Sequence, residues 1–264
     1  MRSTGAMTIV QSSIEPHRVP AGARPRRSKK VNTMAQQNRP HIMLASLTLA
    51  GASRYPSALG HLVRTAAVAA YLANVLELDD AEQERIYLVA PVHDIGKLGI
   101  PDDVLLKPAS LTDVEHEIMQ RHSNIGADLL AGTADPLLQM AASVARHHHE
   151  HFDGSGYPNG LAGEGVPLAA RIVAVADAFD AMLEPRVYRE GMPEDDALEA
   201  LADQSGRSFD PALVDCFLKN VSGVRRIRAA TEDLVQQYGD VSGVIRFYGA
   251  RGQSPGFFRH IQAL

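Results

Sequence analysis

The chain predicts an all-α fold: one helical bundle with an extension at each end. Three observations carry that expectation. Apolar residues recur at helical spacing through most of residues 57–220, helix-start signals precede several of those runs, and no segment before Val221 alternates as a strand would. At 264 residues with 45% hydrophobic content, the chain can bury one substantial core. Trp is absent and aromatics make up 5%, so that core must be mostly aliphatic.

The elements follow in order. Leu59, Leu62, Val63, Ala66, Ala67, Ala70, Ala73 and Leu76 form the first long stripe, from Ser57 to Leu76. Asp79-Asp80 opens a second helix, expected to run through Ile86, Leu88, Val89 and Ala90 to His93, where Gly96 and Gly99-Ile100-Pro101 stop it. Thr112-Asp113-Val114-Glu115 matches a capping box, so a helix should run from there to about Ala131 and carry His122. Asp135-Pro136 starts another, ending near His149. Glycines at 154, 156, 160, 163 and 165 make Asp153 to Gly165 a loop. Leu168 to Met182 reads as helix, with Asp177 and Asp180 three apart on one face. Pro193 to Ala202 and Pro211 to Asn220 add two more. Beyond Lys219 the sequence does not decide: Val241 to Tyr248 can form a short strand, and Phe257-Phe258 can pack back on the bundle. The expected division is a tail over 1–40, a helical lead-in over 41–56, the main domain over 57–220 and an extension over 221–264.

Residues 1–40 stand apart in composition. They hold eight Lys or Arg and one acid, Glu15, a charge of +7; the remaining 18 basic and 30 acidic residues give −12 for residues 41–264. Pro, Ser, Gln and Arg without apolar periodicity predict disorder there. Such a tail can touch nucleic acid or an anionic membrane surface. A solvated tail, or a true start at Met34 or Met43, accounts for it as well, and nucleic acid is not expected as a partner. The run Ile42-Met43-Leu44-Ala45 is far short of the ~20 apolar residues a bilayer span requires. It also lacks the leading position of a secretory signal. The one cysteine, Cys216, excludes an intramolecular disulfide and lies in an apolar helical stretch, as a buried small hydrophobe does. A cytoplasmic location is expected. With only about 56 residues ahead of the bundle, no sensor or receiver domain is expected on this chain, so regulation should come from a partner, from expression or from the tails.

The chemistry concentrates in two stretches, Val92-His93-Asp94-Ile95-Gly96-Lys97 and His148-His149-Glu150-His151-Phe152-Asp153-Gly154-Ser155-Gly156-Tyr157-Pro158. Imidazole and carboxylate are the ligands that hard-to-borderline divalent metals take. An Asp directly after a His can offer two oxygens and bridge two ions, and a pair of ions about 3.5–4 Å apart is a common device for in-line displacement at phosphorus.

These residues resemble the HD-GYP subgroup of the HD phosphohydrolases. The resemblance runs from about Ser57 to Phe217 and is dense. It includes His61, His93-Asp94-Ile95-Gly96-Lys97, Ile100-Pro101-Asp102, Leu106-Lys107-Pro108, Leu111-Thr112 with Glu115, His122, Gly126, the His148-to-Pro158 block, Arg171-Ile172, Asp177-Ala178-Phe179-Asp180-Ala181, Arg186 and Tyr188-Arg189. It implies that His61, His93, Asp94, His122, His148, His149 and Asp177 are metal ligands. His147 and His151 are then extras, His116 an exposed helix position, and His17, His41 and His260 lie outside the motifs. Two departures bear on the site. Relatives commonly carry a Glu four residues before the first His; here that position is Ser57, and no acid occurs between Glu15 and Glu77, so two metals rather than three are expected. Where relatives have a Thr-Ser pair, this chain has Leu183-Glu184 followed by Pro185, which adds a negative charge beside Arg186.

The resemblance further implies a phosphodiesterase that cuts cyclic di-GMP to linear pGpG, with a second cut to GMP allowed. Two divalent ions, iron or manganese, would share a bridging hydroxide that attacks phosphorus in line. Asp94 and Lys97 are the expected catalytic groups, Lys97 by offsetting charge on a phosphate oxygen. Lys97, Tyr157, Asp180, Arg186 and Arg189 are the expected substrate contacts. The rival readings are a phosphodiesterase for another cyclic dinucleotide and a weakly active module that senses the dinucleotide. Either leaves room for a protein partner, such as a regulator or a diguanylate-cyclase-type protein, and for a homodimer.

Overall fold

Helix α1 (Arg39–Ala52) buries Leu44, Ala45 and Thr48 and leads into α2 (Ala58–Val75), the central element. In the computed structural model, which describes residues 39–54, 58–185, 190–238, 243–244 and 247–248, α2 is buried on nearly every side from His61 to Ala70. Its alanines 66, 67, 69, 70 and 73 are at most 1% exposed and let neighbouring helices approach closely. The basic tail, Ser57, Arg186, Tyr188, Arg189 and Phe257-Phe258 lie outside the described residues.

The capping signals form as expected. Asp79 accepts the Glu82 amide at 2.8 Å to start α3 (Asp80–Val89). Pro91 then cuts that helix short of the expected end at His93. Its ring cannot sit in an α-helix interior, and a 3₁₀ turn over Ala90–Val92 follows instead. A second 3₁₀ turn covers Ile95–Gly99, and a four-residue helix α4 (Asp102–Leu105) leads to the capping box. Both bonds of that box are present: Glu115 N–H to Thr112 Oγ1, and Thr112 N–H to Glu115 Oε2. The single helix expected from there divides at Arg121 into α5 (Asp113–Gln120) and α6 (His122–Leu130). Asp135 caps α7 (Pro136–His147) through the Leu137 amide. Then come α8 (Leu168–Leu183), α9 (Glu194–Asp203), α10 (Pro211–Lys219) and α11 (Val221–Tyr238).

Helices α3, α8 and α11 pack around α2, and α7 packs on α6 and α8. The core joins Leu62, Val63 and Leu72 to Ile86, Tyr87, Ile172, Val173, Phe179, Leu201 and Phe217. Each fully buried Leu or Phe contributes about 1.5–3 kcal/mol. The fold is all-α, with no strand among the described residues. The strand considered for Val241 to Tyr248 is therefore corrected: Gly243, Val244 and Phe247 are helical. They carry core side chains, since Phe247 stacks on Tyr87 at 4.1 Å between ring centroids and the Tyr248 hydroxyl meets Thr48 Oγ1 at 2.7 Å. The packing of an apolar chain end decided this, not its local β-propensity. No helix among the described residues is long and apolar enough to cross a membrane.

Candidate metal centre

Three imidazoles are aimed by one local device. His93 follows the Ala90–Val92 turn, His122 opens α6 at its break with α5, and His148 caps the end of α7. Where a helical segment ends, carbonyls lose their intrahelical partners. Each ring turns Nδ1 onto the backbone carbonyl three residues back, near such an end: His93 to Ala90 at 2.7 Å, His122 to Met119 at 2.7 Å, His148 to Ala145 at 3.0 Å. A carbonyl only accepts, so Nδ1 carries the proton and Nε2 is left to face the interior. His61 sits within α2, where no carbonyl is free. Its Nδ1 goes instead to Asp180 Oδ2 at 2.9 Å, and its Nε2 meets Asp177 Oδ1 at 2.9 Å.

The seven expected ligands converge in two groups. His61, His93 and Asp177 form one, and Asp94, His122, His148 and His149 the other; within each, one donor atom per residue lies within 4.8 Å of the rest. Asp94 links them. Its Oδ2 is 3.5 Å from His93 Nε2, while Oδ1 is 3.4 Å from His122 Nε2 and 3.7 Å from His148 Nε2. The backbone at Asp94 holds φ −95°, ψ 9°, a sparsely populated region where active-site residues recur. His93 Nε2 and Asp94 Oδ1 are buried without a hydrogen-bond partner. His122 and His148 point Nε2 at each other across 3.4 Å. Buried nitrogen and oxygen donors of this kind, converging on one space, fit divalent cations.

The electrostatics divide along the same line. Burial opposes charge on His61, but hydrogen bonds to Asp177 and Asp180 outweigh it and raise its pKa to about 9. His93 rises to about 10 because the charges of Asp94 and Asp177 outweigh its burial. His122, buried and beside His148, falls to about 4, and burial also pushes His149 well down. Burial works against the Asp94 and Asp177 carboxylates, yet Lys97 and His93 hold Asp94 far below the usual range, and His93 and His61 do so for Asp177.

Around this centre, Lys97 Nζ pairs with Asp94 Oδ2. Tyr157 stacks on the His149 ring at 4.9 Å, and its amide donates to the His149 carbonyl at 3.1 Å. The loop that carries Tyr157 is tied down by Glu150, whose buried carboxylate accepts the Asn159 and Leu161 amides at 2.8 and 3.0 Å. Two glycines are obligatory for close approach. A Cβ on Gly96 would lie 1.8 Å from the His122 carbonyl oxygen, and one on Gly156 would lie 2.2 Å from the His151 nitrogen. Of the surplus histidines, His116 is exposed, His147 is half-buried, and His151 meets Ser155 Oγ at 2.9 Å.

Asp180 requires a correction. It was expected to touch substrate, but it is 0% exposed, and its oxygens are taken by His61, Arg64 and Arg228. Its position three residues after Asp177 on one helix face was legible; its depth was not. Glu184 pairs with Arg64, so the extra negative charge is answered inside the protein. His61, Asp180 and Glu184 form a further cluster of donors, but the Arg64 guanidinium already supplies its cation. Arg64, Arg228 and Glu150 were not singled out from the sequence, because their partners lie 9 to 168 residues away along the chain.

Residues 47–213 match the HD domain family. The chain is 47% identical over 181 residues to the cyclic di-GMP phosphodiesterase response regulator RpfG of Xanthomonas campestris pv. campestris, covering 69% of this chain and 46% of that protein. It is 39% identical over 173 residues to the 3′3′-cGAMP-specific phosphodiesterase 2 of Vibrio cholerae, covering 66% of this chain and 33% of that protein. It thus spans less than half the length of either relative. Among solved structures, an HDGYP protein of Bdellovibrio bacteriovorus shares the fold at a TM-score of 0.50 and 22% identity, over 61% of this chain and 51% of that one. With the His93-Asp94 pair at the join of two donor groups and the Gly156-Tyr157-Pro158 loop stacked beside them, the chain belongs to the HD domain family, in its HD-GYP branch.

Proposed function

We propose that this chain is a metal-dependent phosphodiesterase that opens cyclic di-GMP to linear pGpG. The observation that carries the reading is Asp94 offering one oxygen to each of two imidazole-rich groups. His61, His93 and Asp177 would hold one divalent ion, His122, His148 and His149 the other, and Asp94 both. Iron or manganese suits this mixture of imidazole and carboxylate. Bound there, two such ions supply Lewis-acid activation of water and of a phosphoryl oxygen.

The chain's own groups do the rest. The Nδ1 bonds fix four rings so that each presents Nε2 without reorganising. Lys97, held beside Asp94, offsets the negative charge that builds on phosphoryl oxygens. Tyr157 packs against His149 and steadies that ring. Arg186 and Arg189 are the proposed partners for a second phosphate or a guanine edge. Water adds across one P–O3′ bond, leaving a 5′-phosphate and a free 3′-hydroxyl. The relative specific for 3′3′-cGAMP supports a second reading, in which that dinucleotide is the substrate.

Anaerobic purification with elemental analysis, then product analysis on both dinucleotides, tests the proposal. Two iron or manganese ions per chain and faster formation of pGpG are expected. Absence of bound metal with no turnover of either substrate would refute it. Asp94→Ala should keep its helical content but lose metal and hydrolysis together, because a shared carboxylate has no substitute. Wild-type turnover in that variant would remove Asp94 from the mechanism.

A further inference from the structure

Helix α11 starts beyond the residues that match the HD family, which end at 213. It nevertheless docks along α2. Val224, Ile227 and Thr231 fall on one buried face, and Gly223 permits the contact, since a Cβ there would lie 1.8 Å from the Tyr71 hydroxyl oxygen. From this position Arg228 enters the network behind His61. Its Nε and Nη2 lie 2.9 and 2.8 Å from Asp180 Oδ1, and its guanidinium carbon sits 5.7 Å from the centre of the Phe179 ring. One turn on, Glu232 Oε2 takes Arg64 Nη1 at 2.8 Å, and Arg64 in turn reaches both Asp180 oxygens.

We propose that Arg228 is a positioning residue: docked α11 uses it to fix Asp180, and through Asp180 the ring of His61, so that the site is complete only with α11 in place. This rests on reading the His61 group as a metal site. The argument is one of dependence. His93, His122 and His148 each anchor Nδ1 on a carbonyl three residues back, so their aim is set locally. His61 anchors Nδ1 on a side chain 119 residues away, and that side chain is itself free to rotate unless both oxygens are held. Oδ2 serves His61 and also accepts from Arg64, while Oδ1 is held by Arg228 and Arg64. Both arginines give two nitrogens to Asp180, but Arg64 is shared with Glu184 and Glu232, whereas the carboxylate that Arg228 meets is Asp180. The consequence is selective: loss of Arg228 weakens the group of His61, His93 and Asp177, and leaves that of His122, His148 and His149 alone.

The test is Mn²⁺ binding to the full chain by calorimetry and electron paramagnetic resonance, with circular dichroism for helix content. In Arg228→Met, one Mn²⁺ equivalent should weaken by about 10–100-fold, as loss of a ligand's hydrogen-bonded support does, while the other stays as in the wild type. Arg228→Lys should fall between the two. Arg225→Met, which removes an arginine paired with Glu194 on the same helix, should bind both equivalents normally. Unchanged affinity for both in Arg228→Met overturns the inference, as does an equal loss in Arg225→Met, or weakening of both equivalents together with loss of helix. If Arg228→Met does not fold, Arg228→Lys decides, and wild-type affinity there overturns it. Failure of the wild-type chain to bind Mn²⁺ would instead refute the metal reading.

Discussion

At the scale of single residues, protons and metals compete for the same atoms. In the metal-free protein His61 and His93 keep their protons to about pH 9 and about pH 10, because neighbouring carboxylates outweigh burial. A metal takes only the neutral ring, so at pH 7 each must give up a proton. Affinity at that group should therefore rise with pH, by up to about two decades per unit between pH 6 and 8, with close to two protons released per ion. Calorimetric titrations in buffers of different ionisation enthalpy measure the release, and a pH-independent affinity would contradict the raised values. The sign reverses for stability without metal. Pairs whose folded pKa is raised contribute fully below about 6.5 and lose that contribution as pH climbs through about 9 and 10. Lys97 tests a different effect. It neutralises Asp94 in the free protein and faces the reacting phosphate in the proposed mechanism. Lys97→Ala should lower turnover by roughly 2–4 kcal/mol of barrier while metal content changes little, as for other removals of a preorganised charge. Turnover within a few fold of the wild type would show that the amino group serves only Asp94.

At the scale of elements, the site is assembled where helices break. The 3₁₀ turn over Ile95–Gly99 lies against α6, and Gly96 makes that possible. Gly96→Ala would thrust a methyl group to 1.8 Å from the His122 carbonyl, so the turn or α6 must shift. We expect a loss of roughly 2–3 kcal/mol in urea unfolding and weaker binding at the His122 group, as for overpacking elsewhere. A change under about 0.5 kcal/mol would mean that the two elements slide apart freely. The same breaks explain what could be read from the sequence. Caps at Asp79, Thr112 and Asp135 act on their own neighbours within three residues, and all three formed. The division of one expected helix at Arg121 was not legible, because Gln120-Arg121-His122 contains neither Gly nor Pro. Helix α11 was missed for another reason. Its buried stripe Val224, Ile227 and Thr231 is interrupted by Arg225, Arg226 and Arg228, and Arg228 finds its reason only in Asp180.

At the scale of the whole molecule, the residues that converge could be named from the sequence while those that support them could not, and the difference is one of range. His61, His93, Asp94, His122, His148, His149 and Asp177 were named together through the resemblance to HD-GYP motifs, and the fold brings these donors into two groups. Asp180, Arg64, Arg228 and Glu150 are common residue types whose roles exist only through tertiary contacts. The charge balance makes a last prediction at this scale. Residues 41–264 carry −12 and residues 1–40 carry +7, so the part of the chain that would receive an anionic dinucleotide under the proposed function is itself acidic. If the basic segment attracted substrate, its removal would slow association, and the loss would grow at low salt. Among the described residues, however, the donors lie between 61 and 177, and the family match starts at 47, so we expect the segment to supply no group of the site. A chain beginning at Met34 should bind the same metals, keep its helical content and hydrolyse the dinucleotide at a kcat within about two-fold of the full chain. Any effect should appear in kcat/KM and fade between about 0.05 and 0.5 M salt, where screening shortens the reach of surface charge. Loss of metal or of kcat on truncation would place residues 1–33 in contact with the bundle and move the boundary drawn at residue 40.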